Sequence, residues 1–193
     1  MTTIFGVPIV ALYGQLMLGL VNGAFYAMLS LGLAVIFGMM NVINFAHGAQ
    51  FMMGAFVAWM LLAWAGIGYW VALLLVPLIV GAFGIVLERL MISKLYRLDH
   101  LYGLLLTFGL ALVIEGTFRN FFGSSGLPYQ IPGSLQGAMN LGFMFLPNYR
   151  GWVIVASVAL CLLTWFVIEK TKLGAYLRAA VERPDVVRAF GVN

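Results

Sequence analysis

Charge is what this sequence most lacks. No Asp, Glu, Lys or Arg occurs between Met1 and Leu87, and charged side chains make up 8% of the 193 residues, where a soluble globular domain carries about a quarter. A water-soluble fold does not leave so long a stretch uncharged, so this half lies largely in lipid. Cysteine is nearly missing too. Cys161 is alone and the two histidines stand far apart, so neither a disulfide framework nor a metal-ligand cluster can be drawn. No Ser/His/Asp, Cys/His or paired-carboxylate set can be assembled, which argues against an enzyme, and no cofactor is expected. The lysines Lys94, Lys170 and Lys172 follow Ser, Glu and Thr, so the Gly-Lys of a phosphate-binding Walker A loop is missing and any ATP would be bound by another chain. No basic residue precedes the first apolar run, so that segment is expected to stay in the mature protein rather than be cleaved as a signal.

What is present is apolar: 64% of the residues. Runs of about 20 apolar residues predict an all-α, polytopic transmembrane helical bundle with spans over 9–39, 50–65, 69–92, 101–121 and 152–168. The first is too long for one upright crossing, since at about 1.5 Å per residue it reaches about 46 Å against a hydrocarbon layer of about 30 Å. It is therefore tilted, broken, or begins outside the membrane. The stretch 38–50 turns polar without charge, through Asn41, Asn44, His47, Gly48 and Gln50, and reads as irregular backbone at or inside the membrane boundary. The whole chain is read as one transmembrane domain ending in a cytoplasmic segment over 169–193.

The net charge of +4 is spread over loops rather than gathered in a patch, so it speaks of membrane orientation and not of nucleic acid. Arg89, Lys94 and Arg97 flank one connection, and Lys170, Lys172, Arg178, Arg183 and Arg188 fill the tail. Both are expected on the cytoplasmic side, two spans apart, with 123–150 outside. The N-terminus falls outside if the first span crosses once.

Several residues could carry function. On the first span Gln15 and Asn22 stand about two turns apart, near a small-residue face of Gly19, Gly23, Ala27 and Ser30. They border a translocation path or hydrogen-bond a neighbouring helix. Glu115 is the one carboxylate well inside a span, with Arg119 one turn later. The order suits an i,i+4 ion pair anchoring the outer end of the helix, the alternative being a proton relay. His47 among amides is either a satisfied hydrogen-bonding residue or part of a site. In the tail, Leu173, Tyr176, Leu177, Ala180 and Val181 recur at the α-helical period, with Arg178 and Glu182 as an i,i+4 pair beside them. Pro184 breaks this helix, and Asp185 and Gly191 suit the start and end of a second. Such a stripe docks in a partner's groove or rests on the lipid surface.

Four peptides resemble a known family: Gly19-Leu-Val-Asn-Gly-Ala-Phe-Tyr-Ala27, Ile36-Phe-Gly-Met-Met-Asn-Val-Ile-Asn-Phe-Ala-His-Gly48, Thr107-Phe-Gly-Leu110, and Gly174-Ala-Tyr-Leu-Arg-Ala-Ala180 continuing to Glu182-Arg-Pro-Asp185 and Phe190-Gly-Val-Asn193. They are similar to the LivH-type permeases of branched-chain amino-acid ABC transporters, along the whole chain. The resemblance implies an inner-membrane permease subunit, pairing with a second homologous permease subunit, two cytoplasmic ABC ATPase subunits and a periplasmic substrate-binding protein. From their polarity in apolar surroundings, Gln15, Asn22, Asn41, Asn44, His47 and Gln50 stand as substrate-pathway candidates. The likeness of Arg178-Ala-Ala180 and Gly191 to the family's cytoplasmic coupling segment favours ATPase docking for the tail, through the stripe of Leu173, Tyr176, Leu177, Ala180 and Val181 with Arg178 and Gly191. Family members continue through further spans, so the chain is read as truncated at its C-terminus. A urea or short-chain amide permease resembles the same motifs. A secondary transporter or channel would ordinarily show midplane charges or discontinuous helices around an ion site.

The orientation is testable. With Cys161→Ser as background, cysteines placed at Ser93 and Ser125 should react with a membrane-impermeant reagent from opposite sides. Labelling of both from outside contradicts the assignment.

Overall fold

The computed structural model describes residues 3–4, 7–40, 44–95, 98–142, 144–182 and 187. Among these, five helices are long and apolar enough to cross a membrane, as expected of a polytopic helical protein. They are α1 (Ile9–Met40), α2 (Ala46–Ala65), α3 (Tyr69–Leu90), α4 (His100–Phe122) and α5 (Asn148–Lys170), followed by the shorter α6 (Lys172–Glu182). Two small antiparallel hairpins accompany them, β1 (Thr3–Ile4) with β2 (Val7–Pro8) and β3 (Ala138–Asn140) with β4 (Phe145–Pro147). The chain divides into two compact units, Ile36–Pro132 and the pair Met1–Val35 with Gly133–Asn193, the boundary falling within α1.

Two expectations change. Helix α1 is unbroken over its 32 residues, which removes one of the three explanations for its length. The stretch 38–50 is not one irregular segment, because α1 continues through Met40 and α2 already begins at Ala46. His47, Gly48 and Gln50 are helical. Polarity misled here because the Asn44 carboxamide works as a helix starter, its Oδ1 accepting the Ala46 N–H at 2.9 Å.

In the unit Ile36–Pro132, α2 and α3 form a hairpin whose corner needs a glycine. Gly66 sits at φ +64°, a left-handed conformation that costs a side-chain-bearing residue energy. Its N–H donates to Leu62 O at 3.2 Å while Ile67 N–H reaches back to Leu61 O at 2.9 Å, so two of the last carbonyls of α2 are satisfied around a left-handed glycine stop. After α3, a 3₁₀ turn over Ile92–Leu95 leads to Asp99, whose carboxylate caps α4 by accepting Leu101 N–H at 3.0 Å.

Contacts between α2 and α4 keep one register. Phe45 meets Thr107, and Phe56 stacks on Phe118 at 4.8 Å, each pair 62 residues apart. The two helices are therefore parallel, with α3 running the other way. One end of this unit carries Glu88, Arg89 and Lys94. The opposite end is aromatic, with Trp59 edge-on to Phe122 at 5.8 Å and to Trp64 at 6.5 Å, and Tyr69 edge-on to Trp70 at 5.3 Å. Such rings belong at a membrane–water boundary. Beyond α4, Tyr129 packs edge-on to Tyr69 at 6.4 Å, and burial, then the nearby Tyr69, push its phenol above its ordinary pKa and keep it neutral.

In the other unit the β3–β4 hairpin seats the start of α5. Asn148 donates its side-chain N–H to Gln136 O at 3.0 Å, and its backbone N–H to Gly137 O at 3.1 Å.

Helix α2 approaches α3 at Gly54, where an added Cβ would stand 3.6 Å from Val76 Cγ1 and 3.9 Å from Val80 Cγ2. That space accepts a methyl group and nothing larger. Gly54→Ala is expected to leave stability nearly unchanged, whereas Gly54→Leu should cost about 1–3 kcal/mol by overpacking. Denaturation midpoints of the detergent-purified protein measure the difference.

Candidate functional site

Hydrogen bonds from side chains to helix-end backbone concentrate at two places: the start of α2, and the junction of α5 with α6. At the first, a helix begins where another is already under way. The register sets Phe45 beside Thr107, seven residues into α4, about 10 Å along its axis at about 1.5 Å per residue. If α4 spans the bilayer, α2 starts inside the hydrocarbon layer. A helix start leaves four N–H groups without intrahelical partners, and water cannot serve them there. Three are served by the chain itself. Phe45 N–H donates to Thr107 Oγ1 at 3.3 Å, Ala46 N–H to Asn44 Oδ1, and His47 N–H to Asn44 O at 3.2 Å.

Thr107 is wholly buried, and its hydroxyl also donates to Leu104 O at 3.2 Å. Ala46 is buried against the same joint and Phe108 meets Phe45 edge-on at 6.3 Å. Two peptides that sequence singled out separately, Asn44-Phe-Ala-His-Gly48 and Thr107-Phe-Gly-Leu110, thus form one clamp. Sequence reasoning passed over Thr107 as a functional residue. The available signal was a hydroxyl in an apolar span near a polar, uncharged segment, which needs a partner.

Among the pathway candidates, Asn44, His47 and Gln50 gather at this start of α2, all of intermediate exposure. His47 and Gln50, three apart, lie on one face of the first turn. Gln15 and Asn22 are on α1 in the other unit, both exposed and seven residues apart on one helical face. Asn41 lies outside the described residues.

At the second place α5 turns into α6 within two residues. Thr171, extended, accepts the Gly174 N–H on its Oγ1 at 3.3 Å and the Ala175 N–H on its carbonyl at 3.1 Å. Gly174 is buried, and a Cβ on it would run into the backbone of Ile168. Arg178 donates through Nη1 to the Ile168 carbonyl and to Glu169 Oε2 at 3.1 Å. The expected Arg178–Glu182 pair is therefore replaced by Arg178–Glu169, because the sharp turn brings the end of α5 nearer than the next turn of α6. This exposed ion pair is worth about 0–1 kcal/mol. Its larger effect is geometric, since it holds a carbonyl that the end of α5 leaves unpaired.

Leu173, Tyr176, Leu177, Ala180 and Val181 are all exposed on α6. Pro184, Asp185 and Gly191, and with them the expected break and second helix, lie outside the described residues. On α4, Glu115 and Arg119 are both exposed and form no ion pair with each other among the described residues. The anchoring pair expected from their spacing is not made. Among the described residues no group of three or more His, Cys, Asp or Glu could hold a metal ion.

Five apolar helices carrying this clamp define a multi-pass membrane protein. Residues 15–193 match the family described as branched-chain amino acid transport system / permease component, and the chain belongs to that family. It is 24% identical over 190 residues to the high-affinity branched-chain amino acid transport system permease protein BraD of Pseudomonas aeruginosa, covering 93% of this chain and 62% of that protein. It is 25% identical over 195 residues to the corresponding permease protein LivH of Escherichia coli K12, with the same coverage. With a probable branched-chain amino acid transport permease protein LivH of Methanocaldococcus jannaschii it shares 29% over 174 residues, 86% of this chain and 54% of that one. The chain thus spans between half and two thirds of these relatives. No solved structure matches.

Thr107→Val keeps the shape but removes the acceptor, leaving the Phe45 N–H orphaned. The expected cost is about 1–3 kcal/mol, with Thr107→Ser, which keeps the hydroxyl, distinctly milder. Denaturation midpoints in detergent decide it: equal losses in the two variants would remove the clamp.

Proposed function

We propose that this chain is the permease subunit of an ATP-binding-cassette importer in a bacterial inner membrane, translocating branched-chain amino acids handed over by a periplasmic binding protein. It works as one transmembrane domain beside a second homologous permease subunit, driven by two cytoplasmic ATPase subunits. Family membership supports the cargo class, since the relatives named above are branched-chain amino acid permease proteins. The observation that carries the mechanical part is the α5–α6 junction. An apolar stripe stands uncovered on a short helix beyond the last span, and that helix is bonded to the span by Thr171, Gly174 and Arg178.

A helix of this pattern fits a partner's groove. Because the junction is short and closely packed, displacement of α6 by a moving ATPase would be passed to α5 rather than absorbed by a linker. Leu173, Tyr176, Leu177, Ala180 and Val181 make the docking face, Arg178 locks the angle, and Gly191 belongs to the same cytoplasmic segment. Cargo passes the polar positions Gln15, Asn22, Asn41, Asn44, His47 and Gln50. At the start of α2 the chain already uses three of the four free N–H groups, so recognition there falls to side chains rather than to the helix terminus.

The test uses the complete assembly in membrane vesicles. Labelled leucine uptake should require ATP and persist when the proton gradient is collapsed. Leu177→Asp with Val181→Asp should abolish co-purification of the ATPase while the permease still inserts. Uptake by this chain alone, driven by an ion gradient, would replace the reading by a secondary transporter. Uptake of urea or a short amide in place of leucine would correct the cargo.

A further inference from the structure

Glu169 stands where an acidic residue is unfavourable. It lies in the last turn of α5, where the unpaired carbonyls already give the helix end a partial negative charge. It is also the one carboxylate between Glu115 and Glu182. The adjacent cation, Lys170, is held over the Trp165 ring at 5.6 Å, and the cation that meets Glu169 is Arg178, the seventh residue of α6. Both partners are about half exposed, so their attraction adds little to stability. Neither helix propensity nor pairing energy accounts for an acid at this position, which leaves geometry.

Arg178 brings one nitrogen to two acceptors. Its Nη1 carries two protons, and it donates to the Ile168 carbonyl and to Glu169 Oε2 at 3.1 Å. With the carboxylate holding one N–H, the guanidinium stays on the carbonyl; without it, a long side chain half in water has many other rotamers open. Thr171 makes a second attachment between the two helices. Its hydroxyl donates to Val167 O and accepts the Gly174 N–H at 3.3 Å. This bond lies at the start of α6, whereas Arg178 is six residues on from Lys172, about 9 Å along the helix axis. One attachment is a pivot, and two fix a direction.

We propose that Glu169 is a positioning residue for coupling: its carboxylate keeps Arg178 on the Ile168 carbonyl, and the clasp so completed makes α5 and α6 turn as one body when the ATPase moves. The inference rests on the reading of α6 as the ATPase-docking helix. Glu169 acts through Arg178 and is no part of the docking stripe. Without it α6 pivots about Thr171 and Gly174, and a push on the stripe is spent on changing the angle of the junction.

The experiment has two arms. In the full chain, reconstituted in nanodiscs with Cys161→Ser as background, spin labels at Val155 on α5 and Ala179 on α6, both exposed, report the spread of distances across the junction. A narrow distribution is expected, broadened by Glu169→Ala and much less by Glu169→Gln, whose amide oxygen still accepts from Arg178. Glu169→Arg combined with Arg178→Glu keeps an ion pair but sets a carboxylate against a carbonyl, so it should broaden the distribution as much as Glu169→Ala does. In the complete assembly, Glu169→Ala should retain the ATPase at native stoichiometry while the ATP hydrolysed per labelled leucine imported rises severalfold, with Glu169→Gln close to native. A broad distribution in the unaltered chain, a narrow one in Glu169→Ala or in the charge exchange, an unchanged ratio of ATP to leucine, or loss of the ATPase from Glu169→Ala would overturn the proposal. If the unaltered assembly imports no leucine or holds no ATPase, it is the reading of α6 and its cargo that fails, and the distances still decide the clasp.

Discussion

Inside hydrocarbon a backbone N–H or C=O that lacks a partner has no water to turn to, and the unit containing α2, α3 and α4 is arranged around that constraint. A helix satisfies its own interior but not its first turn. Starting α2 level with the third turn of α4 therefore requires acceptors at that depth, and the chain supplies three, the Asn44 side chain, the Asn44 carbonyl and the Thr107 hydroxyl. Once Phe45 is tied to Thr107, the register of the whole α2–α4 pair follows, down to the stacking of Phe56 on Phe118 about three helical turns away. The left-handed glycine stop at Gly66 then returns the chain as α3 along α2, close enough at Gly54 that an added methyl group would meet Val76 and Val80.

The α5–α6 junction answers the same demand at the other kind of helix end. The last carbonyls of α5 are orphaned as the first amides of α2 are, and Arg178 supplies donors where Thr107 supplied an acceptor. The consequence differs because of place. A clamp within the spans fixes which helices are neighbours, whereas a clamp at the end of a span fixes the direction in which α6 leaves it. A helix with an apolar stripe held at a fixed angle is suited to transmit a push. The same stripe on a flexible linker would not be.

Much of the fold was legible. Five spans, their approximate limits and the amphipathic tail follow from composition and periodicity, because lipid admits few alternatives to a helix of about 20 residues. The site was legible only in part. Asn44, His47 and Gln50 were marked by their polarity, and the structure does gather them. Thr107 was hidden, since one hydroxyl in an apolar run is common and its value depends on which backbone amide lies opposite. The ion pairs were misread for a related reason: i,i+4 spacing makes Glu115–Arg119 and Arg178–Glu182 possible, but a single pairing energy of a few tenths of a kcal/mol is easily outweighed by a better partner or by exposure.

What the sequence determined by itself is the solvent and the class: an uncharged first half cannot live in water, and four peptides mark the family. Only the tertiary structure decided that two of those peptides are halves of one hydrogen-bonded joint, and that Gly174 is required by the backbone of Ile168. Periodicity tells which residues share a face of one helix. Which face meets which neighbour, and at what level, depends on contacts 62 residues apart, and no local pattern encodes those.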